Sequence, residues 1–167
     1  MQKAKDLTAD IPEADKKTAI VMGSEIGKVA DGTMLQSEMI ETAGGINPAK
    51  DVPVTQTWAI VGTEELFGWD PDFIFVTSST TNEYTPEEIL NDAAWANVSA
   101  VKSGNVTLVP SVLDSWEFPG VGSALGALWM ISEMYPDKLS EADFNAIVAE
   151  FYKTVYNIEV TPEILGY

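Results

Sequence analysis

Neither cysteine nor histidine occurs anywhere in the 167 residues. Without thiols the chain forms no disulfide and offers no thiolate nucleophile. Without imidazole it builds no Ser-His-Asp triad and none of the usual zinc sites. Metal capture is left to carboxylate, carbonyl and phenolate oxygens, which do not suit the softer transition metals. Positive charge is also scarce: 9 Lys and Arg stand against 26 Asp and Glu, a net charge of −17. Nucleic-acid binding needs clustered cations to displace counterions from phosphates, so that class is excluded, as is adhesion to anionic lipid. The acidic excess reads first as a solubilising surface and second as a face for a basic partner. Long apolar runs are missing too. The best stretch, Val121 to Met134, is broken by Gly122, Ser123, Gly126 and Ser132 and falls short of the roughly 18 to 20 residues a bilayer span requires. Met1 is followed by the polar Gln2-Lys3-Ala4-Lys5-Asp6 rather than a signal peptide, as expected of a segment that starts inside a longer protein.

What is present suits one globular domain. Hydrophobic residues make up 46% of the chain and include five Trp, five Tyr and six Phe; a domain of this length buries roughly 70% of the surface its unfolded chain exposes. Residues 1–17 are polar and interrupted by Pro12, and read as the remnant of a helix or linker whose partners lie upstream. Residues 18–167 read as a single α/β lobe. Apolar runs at Thr18 to Met22, Phe73 to Thr77 and Val106 to Val109 predict strands, and the second is apolar on both faces, as a covered parallel sheet requires. Helices are expected over Met34 to Ala43, closed by Gly44-Gly45, and over Thr63 to Trp69, closed by Asp70-Pro71. Thr85-Pro86-Glu87-Glu88 combines an N-cap, a first-turn proline and a capping-box acid. A long helix follows from Val121 to Tyr135, where Gly122 and Gly126 permit a close neighbour, and Ser140 caps a last amphipathic helix. Strands alternating with helices predict an open, mostly parallel sheet flanked by helices in three layers. Such sheets bind ligands at the carboxyl ends of their strands, here after Met22, Thr77 and Val109.

Candidate sites divide sharply. Gly23-Ser-Glu-Ile-Gly-Lys28 follows a strand like a phosphate loop. Only three residues separate its glycines, and Val29 stands where a magnesium-binding hydroxyl belongs, so it reads as a strand-exit turn. Asp70 and Asp72 flank a proline at a corner, and Glu87 and Glu88 open a helix, so turn chemistry and the helix dipole account for both pairs. No arrangement of carboxylates fits an acid–base pair, and the chain is expected not to be an enzyme. Trp69, Trp95 and Trp129 sit in apolar helical patterns and belong to the core. Trp58 and Trp116 fall in loops on the ligand edge, where aromatic rings either pack down or wall a pocket.

Four segments resemble the carboxy-terminal half of the solute-binding family that serves ABC importers of ferric siderophores, haem and cobalamin. They are Glu41-Thr-Ala-Gly-Gly-Ile-Asn-Pro-Ala49, Val61 to Val76 with its "PD" corner, Trp95 to Pro110 around Ala-Val-Lys-Ser-Gly, and the closing run through Leu128-Trp129, Tyr135-Pro136 and Phe151-Tyr152. Their order and spacing cover about residues 18 to 160. Members of that family have two Rossmann-like lobes joined by a long helix, with the ligand in the cleft between them.

The resemblance implies a carboxy-terminal lobe, outside the cytoplasm and tethered through an amino-terminal part. That lobe would bind an iron chelate, haem or corrinoid and hand it to a membrane permease, with no cofactor of its own. Trp58 and Trp116 would face the ligand, Tyr84 would contact it, and Glu64 would dock with permease arginines, for which an exposed acid makes charge-assisted, bidentate pairs. Where relatives often carry a basic residue after Pro119, this chain has Gly120-Val-Gly-Ser123, so a strongly anionic ligand would need its positive partners elsewhere. The alternatives are a freestanding interaction or sensory module that binds no solute, and a small carboxylate-dependent hydrolase, whose turnover one carboxylate-to-amide change would abolish.

Overall fold

The computed structural model describes residues 2–54 and 57–167. Its centre is a five-stranded sheet: β1 (Ala19–Met22), β2 (Lys28–Val29), β3 (Ala59–Ile60), β4 (Phe73–Val76) and β5 (Val106–Leu108), in the order β3-β2-β1-β4-β5. β1 pairs in parallel with β4, and β4 with β5, while β2 lies antiparallel between β1 and β3. Every strand but β2 therefore runs in one direction. The sheet is mostly parallel, as the sequence predicts, with a reversed strand the sequence reading did not anticipate. β2 and β3 are only two residues each, too short to impose a period of two on the side chains. Gly23 to Lys28 is indeed a strand-exit turn: Gly23 N donates to Lys28 O at 2.7 Å, and Gly27 adopts φ +88°. It folds the chain back into β2.

Alternation along β1 and β4 divides the core in two. Ala19, Val21, Phe73 and Phe75 face one side, where they meet α2 (Leu35–Thr42), α6 (Ser123–Met134) and α7 (Glu141–Tyr156). Ile20, Met22, Ile74 and Val76 face the other, against α3 (Thr63–Trp69), α4 (Pro86–Asn91), a 3-10 turn at Ala93–Trp95 and α5 (Ser99–Ser103). All eight strand side chains are buried, which is why these strands read as continuous apolar runs. The result is the three-layer lobe expected.

Local chemistry sets the element ends. Thr85 and Glu88 form the reciprocal capping box that starts α4, and Ser140 caps α7 by accepting from Asp143 N. At the corner, Asp70 takes left-handed φ 45° and accepts from Ser99 N at 2.7 Å, while Asp72 Oδ2 accepts from Thr18 N at 2.9 Å. These acids are spent on structure. α1 (Gln2–Thr8) packs on the lobe: Ala4 is buried, and Thr8 Oγ1 donates to Thr42 O at 3.2 Å, docking the helix on α2 and α6.

Candidate functional site

Three loops leave the carboxyl ends of the parallel strands side by side. The loop after β1 begins at Gly23, that after β4 at Thr77, and that after β5 runs from Val109 to Gly122 without regular structure. Hydrogen bonds stitch them together. The Tyr84 hydroxyl donates to Gly23 O at 2.7 Å, and Glu83 N to Ser24 O at 2.8 Å, tying the second loop to the first. Glu117 Oε1 accepts from Ser78 N at 2.7 Å, tying the third loop to the second. Asn82 donates to Thr77 O at 2.6 Å, so the 77–78 peptide is held at its carbonyl by Asn82 and at its N–H by Glu117.

The aromatic residues predicted at this edge take different places. Trp58 is half-buried and lies over the first loop, where a Cβ on Gly23 would sit 3.4 Å from its ring. Trp116 does not wall a pocket. Its side chain is 1% exposed, its indole N–H donates to the Tyr152 hydroxyl at 3.1 Å, and its ring meets Phe144 and Tyr167 edge-on. Burial of an indole with its one donor satisfied is the more stable use of a loop tryptophan. Tyr84 likewise turns inward, buried with its hydroxyl committed to Gly23, so it braces the edge and leaves no group free for a solute. Glu64 stands exposed in the first turn of α3. Since β3 shares the direction of β1, α3 starts at the same edge as the three loops.

Two features escaped the sequence reading. Phe118, two residues beyond the buried Trp116, points outward at 46% exposure, and Val112, Leu113 and Val121 add apolar surface on the same loop. Opposite fates two residues apart in a coil have no periodic signal. Glu117, between the two aromatics, is 0% exposed. Burial pushes its carboxyl up to about 7 from an ordinary 4.5, although the Ser78 N–H pulls the other way. A lone acid flanked by Trp and Phe was the available clue.

The edge is electronegative. Lys28, the first residue of β2, pairs with Glu25 of the first loop at 2.9 Å, whereas Glu83, Asp114 and Glu117 sit on the other two loops. Among the described residues no group of three or more acids, His or Cys is placed to hold a metal ion, and none of the helices is long and apolar enough to cross a membrane. Concavities occur elsewhere: a groove of about 590 Å³ beside β5, α6 and Tyr167, and one of about 690 Å³ between Pro12 and Tyr135.

A model of the family described as periplasmic binding protein matches residues 1–113. The chain belongs to the periplasmic binding protein family. Molybdate-binding protein MolA of Haemophilus influenzae is 28% identical over 152 residues, 90% of this chain and 42% of that protein. An ABC transporter solute binding protein from Sulfurospirillum deleyianum superposes with a TM-score of 0.84 at 25% identity, covering 98% of this chain and 50% of the other. A periplasmic solute binding protein from Veillonella parvula gives a TM-score of 0.81 at 27% identity over 98% of this chain and 49% of its own. This periplasmic binding protein chain thus spans about half the length of the relatives it matches.

Proposed function

We propose that the chain is one ligand-binding lobe of the solute-binding component of an ABC importer, acting without chemistry of its own outside the cytoplasmic membrane. The observation that carries the reading is the combination of family membership with an open carboxyl edge on which three strand-end loops converge. Open α/β sheets take ligands at this edge, and two such lobes facing each other make a cleft. Trp58, and the outward-facing Phe118 with its apolar neighbours, supply flat apolar contact area for a solute of appreciable size. The amino-terminal part would supply the opposing lobe and the membrane tether.

The solute, in this reading, is a metal complex larger than a bare oxyanion: an iron chelate, a haem or a corrinoid. The named relative binds molybdate, a small dianion. Here Glu83 and Asp114 stand on the edge loops and Lys28 is already paired, so this lobe repels a bare oxyanion unless the opposing lobe supplies the cations. Glu64 is the contact to the permease, an exposed acid at the cleft edge placed to meet arginine.

The test is a titration of the protein as its host makes it with a ferric chelate, haem, cobalamin and molybdate, following tryptophan fluorescence. Saturable quenching by one of the first three, weakened by Trp58→Ala, supports the reading. Tight binding of molybdate alone would replace the proposed ligand class, and binding of none would remove the transport role.

A further inference from the structure

Glu117 has no role in the solute contacts just described, since it offers no surface to the cleft, yet it is tightly constrained. Its side chain is 0% exposed, one oxygen accepts the Ser78 N–H at 2.7 Å, and the other oxygen has no partner among the described residues. Buried carboxylates are ordinarily paired or bonded at both oxygens. The residue also occupies a joint. It is the side chain through which the 109–122 loop grips the first peptide beyond β4, at the edge where Tyr84 and Glu83 secure the neighbouring loop.

We propose that Glu117 is a proton-linked latch: neutral, it lets the 109–122 loop lie closed on the strand ends, and ionised, it draws the loop open so that water reaches its unpartnered oxygen. The geometry sets the direction. A neutral carboxyl is tolerated in a dry site with one hydrogen bond, whereas a carboxylate there has a single N–H donor for its whole charge. The desolvation that holds its pKa near 7 places the change close to neutrality. No opposite charge offsets it. Of the titratable groups on the surrounding elements, Tyr84 faces the carboxylate but is itself held protonated by burial and by Glu117. Tyr152 binds the Trp116 indole, and Asp114 accepts from Tyr156 at 3.2 Å. The loop lacks regular structure, and between its buried ends Val112, Leu113, Phe118 and Val121 project outward, with Trp116 and Glu117 as its buried anchors.

The latch is a property of this chain and does not need the transport reading, although the loop it moves belongs to the edge assigned to the solute. The experiment is therefore done without solute. The Ser78 amide resonance and hydrogen-exchange protection across residues 110–121 are followed from pH 5.5 to 8.5, with intrinsic exchange rates divided out. Expected are a single titration of the Ser78 amide near pH 7 and a fall in loop protection of about tenfold over that range, both absent in Glu117→Gln. A Ser78 resonance that does not titrate, or loop protection that is the same at both ends, overturns the latch. Should the glutamine variant fail to fold, the wild-type loop protection still decides, because a carboxylate that titrates in place shifts the Ser78 amide but leaves protection across 110–121 unchanged.

Discussion

Gly126 and Gly68 both lie inside helices, and replacing each by alanine separates backbone propensity from packing. In an exposed helix interior, Gly→Ala stabilises by roughly 0.5 to 1 kcal/mol. Gly68 sits in α3 with nothing within 4 Å of where a Cβ would stand, so it should show up to about that gain. Gly126, in α6, is different: a Cβ there would fall inside van der Waals contact of the Trp116 carbonyl and the Met39 methyl. The methionine end can swing aside, but the carbonyl belongs to the loop that carries Trp116 and Glu117. Overpacking of this kind costs about 1 to 3 kcal/mol, so the Gly126→Ala variant should be destabilised by about 0 to 2.5 kcal/mol once the propensity gain is subtracted. Equilibrium urea unfolding of the two variants beside wild type reads both values. A Gly126→Ala protein as stabilised as Gly68→Ala would refute the close approach of the 109–122 loop to α6, and with it the placement of the site loop.

Three further outcomes follow from particular side chains. Glu117 binds its proton more tightly folded than unfolded, so its contribution is full below pH 4.5 and is lost as pH rises through about 7. At about 1.36 kcal/mol per unit, Glu117→Gln should gain up to about 3 kcal/mol over wild type at pH 8 compared with pH 4.5; parallel stability curves from denaturation at several pH values would contradict this. Tyr152→Phe leaves the buried Trp116 indole N–H without its acceptor and should cost about 1 to 3 kcal/mol, visible as a lower urea midpoint with an unchanged slope. Glu64→Lys, on an exposed position, should leave the unfolding midpoint within about 0.5 kcal/mol of wild type while slowing solute uptake in cells. Normal uptake would remove Glu64 from the permease contact.

The parallel core was legible because its strands are buried on both faces. Phe73-Ile-Phe-Val76 has no polar face to confuse the period, and the proline, glycine and capping residues around it fix the ends of α2, α3 and α4. The close approach at Gly126 was also visible, since small residues inside an apolar helix signal a neighbour. β2 and β3 were not legible: Lys28-Val29 and Ala59-Ile60 become strands only by pairing with each other and with β1, which is tertiary information. α5 was missed for a similar reason, being five residues that close on Gly104 at φ 75°.

At the strand-end loops, the inward or outward turn of each side chain was not legible in the sequence. In Ser115-Trp-Glu-Phe118 the chain sends Trp116 and Glu117 inward and Phe118 outward. That choice depends on Tyr152 and Ser78, which are distant in sequence and adjacent only in the fold.

The central claim, that this lobe forms one wall of a solute cleft at its carboxyl strand edge, is tested most directly by mapping hydrogen exchange in the host-made protein with and without a saturating ferric chelate, haem or cobalamin. One of these should slow exchange in the 109–122 loop and around Trp58, leaving the groove beside β5 unchanged. Protection confined to that groove, or to none of the described loops with any of the three, would contradict it.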